Sequence, residues 1–140
     1  MLKVLFSATN AGESRKVSFA FFLLRVFVGV AMMVHGYKKI MNPFEWMGPD
    51  ASIPGILQAL AALSEFGGGL ALVIGLLVPL AMLGMAATMF GAVFVHVQSG
   101  DGFVGGWELA GVYLVAAIFF LLVGPGRWSA DAIIRPKIRS

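Results

Sequence analysis

The chain has 140 residues, of which 59% are hydrophobic and 12% charged, against roughly 25% charged in an ordinary soluble domain. That balance implies one integral membrane domain and excludes a disordered chain or a nucleic-acid binder, in spite of a net charge of +3. Cysteine is absent, which excludes disulfides, CxxC redox chemistry, thiolate metal sites and iron–sulfur clusters. Any electron transfer must run on a bound cofactor or a partner subunit.

Four apolar stretches follow in chain order. The first is "VSFAFFLLRVFVGVAMMVHG", about residues 17–36. Its length, the interruption at Arg25 and the lack of a small-x-small site argue against a cleaved signal peptide, so it is read as retained. The second runs from about 54 to 77, with Pro54 suited to a helix start. The third, "LAMLGMAATMFGAVFVHV" (80–97), is parted from the second by a tight turn at Pro79. The fourth, "WELAGVYLVAAIFFLLVG" (107–124), follows the glycine-rich "QSGDGFVGG" loop. Each is near the ~20 residues that cross a bilayer core. Backbone groups in lipid must pair within their own segment, so each is a helix. The predicted fold is an all-α four-helix transmembrane bundle over residues 17–126, with an N-terminal tail (1–16) and a basic C-terminal tail (127–140).

Orientation follows from the basic residues. Lys3, Arg15, Lys16, Arg127, Arg135, Lys137 and Arg139 fall on one side, and Lys38 and Lys39 on the other. Both termini are therefore expected in the cytoplasm. Trp46 and Trp107 would then mark the outer interface and Trp128 the inner one.

Two charges lie inside the predicted spans, where a charged side chain is costly unless compensated. Arg25 is 11 residues before the expected end of the first helix, and Glu65 is 11 residues after the expected start of the second. Both would sit about 16 Å deep at roughly 1.5 Å per residue, which predicts an Arg25–Glu65 ion pair. Such a pair either fixes helix register or lines a proton path or polar pocket. Small residues near Glu65 (Ala61, Gly68, Gly75) and along the third helix (Gly84, Thr88, Gly91) favour close helix approach.

Nearer the outer end, Arg25, Val28, Met32, His35 and Lys39 share one face of the first helix. His96 closes the third helix and Glu108 opens the fourth at a similar height. Three readings fit this layer. It is a set of interfacial side chains bonded to water and loops, a quinone headgroup site at His35, His96 and Glu108, or a metal or haem site on His35 and His96. Quinone oxygens need hydrogen-bond donors, and their reduction needs protons that His and Glu can relay. No tight ligand spacing supports the metal reading.

An Arg within the first helix, an "HGYKKI" exit, "EFGGGLALVIGLLVPLA" in and after the second, a His ending the third and a closing "GPGRWSAD" together resemble the DoxX family over about residues 18–131. The matched positions are Arg25, His35, Gly36, Lys39, Glu65, Gly68, Gly69, His96, Gly124, Pro125, Gly126 and Arg127. The resemblance implies a four-helix protein of the bacterial inner membrane, tied to respiratory redox chemistry. The related DoxD is a subunit of a thiosulfate:quinone oxidoreductase, and other members associate with sulfurtransferase or superoxide-detoxifying partners. It implies no established catalytic residue. Two functions are expected from the whole: a small membrane subunit of a quinone-linked redox system, or a non-catalytic accessory subunit that scaffolds a larger membrane complex.

Overall fold

The computed structural model describes residues 14–139, with side chains as far as residue 134. Most of the expected tail 1–16, with Lys3, lies outside the described residues. The described residues hold no strand. They form α1 (Arg15–Met41), α2 (Gly55–Ile74), α3 (Val78–Gln98), α4 (Glu108–Val123) and α5 (Ala130–Arg139). Four stretches, Arg15–Met41, Gly55–Ile74, Val78–Gln98 and Phe103–Val123, are long and apolar enough to cross a membrane. The chain is an all-α bundle of these four spans, as its composition predicts. Phe27 and Leu122 are 71% and 78% exposed, as expected of side chains whose surroundings are lipid tails rather than water.

The largest departure from expectation is in α1, which continues past Gly36 to Met41. No residue in "YKKIM" breaks a helix, and Pro43 stops it just beyond. α1 begins at Ser14, whose Oγ accepts from the Val17 N–H at 3.4 Å, satisfying one of the free donors of the first turn.

The helices pack in chain order, α1 on α2, α2 on α3 and α3 on α4. The α1–α2 contact is backbone on backbone. A Cβ added to Gly29 would lie 2.7 Å from the Gly69 carbonyl oxygen, and one added to Gly69 would lie 2.7 Å from that of Gly29. Higher up, a Cβ on Gly36 would meet the Phe66 nitrogen at 2.5 Å. These contacts set the register, with Gly36 beside Glu65 and Gly29 beside Gly69. The core is rich in methionine: Met32, Met82, Met85 and Met89 are buried with Val28, Leu72 and Phe120. Unbranched thioethers suit the irregular gaps between close helices.

The bundle has two unlike ends. At the loop end lie residues 42–54 and the wide turn Phe103–Trp107, which is broken by a positive φ of 77° at Gly105. At the turn end α2 stops on Gly75 (φ 77°) and α3 starts from Leu77 (φ 51°). Leu77 brings no side-chain oxygen to cap α3, so the free N–H groups need another acceptor. Asp131 supplies it. Its carboxylate accepts from the Leu77 N–H at 2.8 Å and the Val78 N–H at 3.1 Å, while its own N–H donates to the Gly75 carbonyl at 2.9 Å. Within the segment expected as a basic tail, Ala130–Arg139 therefore folds back as α5. Ser129 caps it, its Oγ accepting from the Ala132 N–H at 3.2 Å.

Candidate functional site

The buried charges pair differently from the sequence expectation. Arg25, 1% exposed, lies at the turn end. Its guanidinium donates to the Trp128 carbonyl at 2.6 Å and the Pro125 carbonyl at 3.2 Å. Its counter-charge is Asp131. Burial pushes the Asp131 carboxyl above the usual carboxylate range, while the Leu77 and Val78 amides and Arg25 pull it down. Glu65, 2% exposed, instead binds the Lys39 ammonium at 2.6 Å. The expected Arg25–Glu65 pair does not form: Glu65 pairs with Lys39, whereas Arg25 is held by the two carbonyls, with Asp131 acting on it through its charge alone. The length of α1 is part of the cause, and the rest is axial registration, which puts Gly36 rather than Arg25 beside Glu65. Arg25 precedes Met41 by 16 residues, about 24 Å at roughly 1.5 Å per residue. Glu65 follows Gly55 by ten residues, about 15 Å on the same scale. The two charges belong to different layers.

At the loop end the four spans line an open-sided cavity of about 190 Å³, room for several waters or a single six-membered ring. His35 and Lys39 line it from α1, Glu65 from α2, His96 from α3 and Tyr113 from α4, with Met32, Met89 and Leu109 among its apolar walls. The His35 and Tyr113 rings meet edge to face, 5.7 Å between centroids. Histidine and tyrosine reach the cavity because each lies on its helix's inward stripe. His35 follows Val28 and Met32 by three to seven residues, and Tyr113 precedes buried Ala117 and Phe120.

Neighbouring segments hold this layer. The Trp46 ring covers the Lys39 ammonium at 4.4 Å, a cation–π contact that offsets part of its desolvation. Gln58, 3% exposed, ties residues 42–54 to the start of α2. Its Oε1 accepts from the Met47 N–H at 3.1 Å, its Nε2 donates to the Ile53 carbonyl at 2.9 Å, and its own carbonyl accepts from Trp46 Nε1 at 2.9 Å. His96 Nδ1 lies 2.7 Å from Asp101 Oδ2, which joins the cavity wall to the turn after α3.

Of the expected outer layer, His35 and His96 converge and Glu108 does not. Glu108 is exposed in the first turn of α4 and is not part of the cavity wall. At about 100° per residue it lies some 160° around the helix from Ala110, which is in that wall. Its carboxylate is instead placed well for the positive end of the α4 dipole. Glu65, assigned to a deeper layer, takes its place. Lys39 and Tyr113 complete the site without having been expected there. Lys39 was already on the face of Arg25 and His35, and only the assumed helix end placed it in a loop. Tyr113 carried a signal in its spacing from Ala117 and Phe120. Among the described residues no group of three His, Asp or Glu side chains is placed to hold a metal ion.

A family model described as DoxX covers residues 20–98, from within α1 to the end of α3. The chain is 32% identical over 110 residues to the inner membrane protein YqjF of Escherichia coli strain K12, covering 74% of this chain and 78% of that protein. No solved structure matches. With more than half of its length matched by the family model, and a relative similar over most of both chains, the protein belongs to the DoxX family.

Proposed function

We propose that this chain is a multi-pass protein of the bacterial inner membrane with both termini in the cytoplasm, and that its loop-end cavity receives a quinone headgroup as part of a quinone-linked redox system. The inner-membrane assignment rests on the similarity to YqjF and the four spans. The observation that carries the ligand reading is the cavity itself. It joins two histidines, a tyrosine and the Lys39–Glu65 pair, whose carboxylate is buried, to methionine and leucine walls. An apolar slot with a few convergent polar groups is the usual form of a small-molecule site. Its size suits one ring, and a quinone tail would remain among the lipid chains. His35, His96 and Tyr113 are the groups within the wall that can bond the ring oxygens.

The test is quinone titration of purified His35→Ala, His96→Ala and Tyr113→Phe. Each lost polar contact should weaken binding by roughly 5- to 150-fold, from about 1–3 kcal/mol, with thermal unfolding little changed. Unchanged affinity in all three variants, or no binding by the native protein, would remove the site. The protein would then be a non-catalytic accessory subunit, and its purification with a larger complex and no ligand of its own would establish that role.

A further inference from the structure

We infer that the turn end of the bundle is a docking site for an anionic phospholipid of the surrounding leaflet, with its headgroup at Arg15 and Lys16 and its chains on Phe19, Leu23 and Trp128. It needs neither the quinone reading nor a particular orientation of the chain.

The two ends of the bundle carry opposite charge. Residues 1–16 and 127–140 hold seven Lys and Arg against two acids, Glu13 and Asp131. Asp131 is fully buried, and its oxygens are taken by the Leu77 and Val78 amides. The loop end sets five acids against Lys38 and Lys39, and Glu45, Asp50, Asp101 and Glu108 among them are exposed. An anion is therefore drawn to the turn end and repelled from the other.

The turn end joins this charge to apolar surface. Arg15 and Lys16 are exposed in the first turn of α1. Among the described residues neither is in an ion pair, and that turn holds no acid. Cations there oppose the helix dipole, a penalty that a bound anion relieves. At about 100° per residue, Arg15, Lys16, Phe19, Phe22 and Leu23 share an arc of about 120° on α1. Phe19 and Leu23 are exposed. Trp128 reaches the same arc from beyond α4, meeting the Phe19 and Phe22 rings edge to face at 6.4 and 6.0 Å between centroids. Half of its surface stays open. A cationic rim beside a lipid-facing aromatic ledge fits an amphiphile with a negative head, whose oxygens accept from the guanidinium and ammonium groups. A soluble anion would leave the rings unused, and a zwitterionic lipid brings no net charge to the rim.

The experiment sets phosphatidylglycerol against phosphatidylcholine of identical chains, in competition for the detergent-purified full chain. Native mass spectrometry reads the ratio of the two lipids retained. At about fivefold per basic residue near a lipid surface, the native protein should favour phosphatidylglycerol at least about fivefold, and less so as salt rises. Arg15→Gln with Lys16→Gln should bring the ratio close to unity, with thermal unfolding little changed, because both side chains are exposed. Lys38→Gln, a charge loss at an exposed loop-end position, should leave the native ratio. Equal retention of the two lipids by the native protein would overturn the inference. So would a preference that survives in the double variant, or one that Lys38→Gln removes as completely.

Discussion

At the scale of single residues, two buried anions, Glu65 and Asp131, lie in separate layers, one beside half-buried Lys39 and the other near buried Arg25. Arg25 answers to Asp131 and to the carbonyls of Pro125 and Trp128, while Lys39 answers to Glu65. Removing one partner of a buried pair leaves an uncompensated charge and costs about 3–5 kcal/mol. Lys39→Met should therefore lower the thermal unfolding temperature sharply, and the double variant Lys39→Met with Glu65→Leu should recover much of the loss. A double-mutant cycle separates the two layers. Arg25→Leu and Asp131→Asn should be strongly non-additive, whereas Arg25→Leu and Glu65→Leu, with no shared partner, should add within about 0.5 kcal/mol. Strong coupling in the second cycle would mean that the two layers are one network.

Helix elements are held by different means at the two ends of the bundle. Between α1 and α2, Gly29 and Gly69 allow the backbones to touch, and no side chain stands between them. Gly29→Ala or Gly69→Ala would force a methyl group against a carbonyl oxygen at 2.7 Å. The expected cost is about 1–3 kcal/mol from overpacking, read as a lower unfolding temperature. Gly91→Ala is the control, because nothing lies within 4 Å of its added Cβ. At the turn end, α3 depends on an acceptor from a distant part of the chain. Truncation after Trp128 would remove both Asp131 bonds to Leu77 and Val78 and leave Arg25 without its counter-charge. That variant should be destabilised by more than the ~1 kcal/mol of an ordinary cap, although it loses none of the four spans.

For the whole molecule, the seven-to-two distribution of basic residues predicts that the loop end faces outward. With no native cysteine, single cysteines report topology directly. In intact cells Ser99→Cys should react with an impermeant thiol reagent and Ser140→Cys should not. Reaction of both from outside, or of Ser140→Cys alone, would reverse or abolish the proposed orientation and place the cavity on the cytoplasmic side.

The four spans were determined by the sequence alone, because bilayer thickness and the need to pair backbone groups in lipid act on each segment locally. The shared face of Arg25, His35 and Lys39 was legible for the same reason: helical periodicity needs no knowledge of neighbours. Partner choice was not legible. It depends on axial registration between helices: Gly36 rather than Arg25 lies beside Glu65, an offset of about 16 Å of helix, of which the extension of α1 from Gly36 to Met41 accounts for less than half. Rotation decided Glu108, which shares the height of the cavity but points away from it. Asp131 reads locally as one acid in a basic segment, and only the return of α5 to the α2–α3 turn makes it the cap of α3 and the counter-charge of Arg25. Local chemistry thus chose the helices. Their tertiary registration, set where Gly29 meets Gly69 and Gly36 meets Glu65, decided which polar groups share a cavity, because those backbones can touch only where side chains are absent.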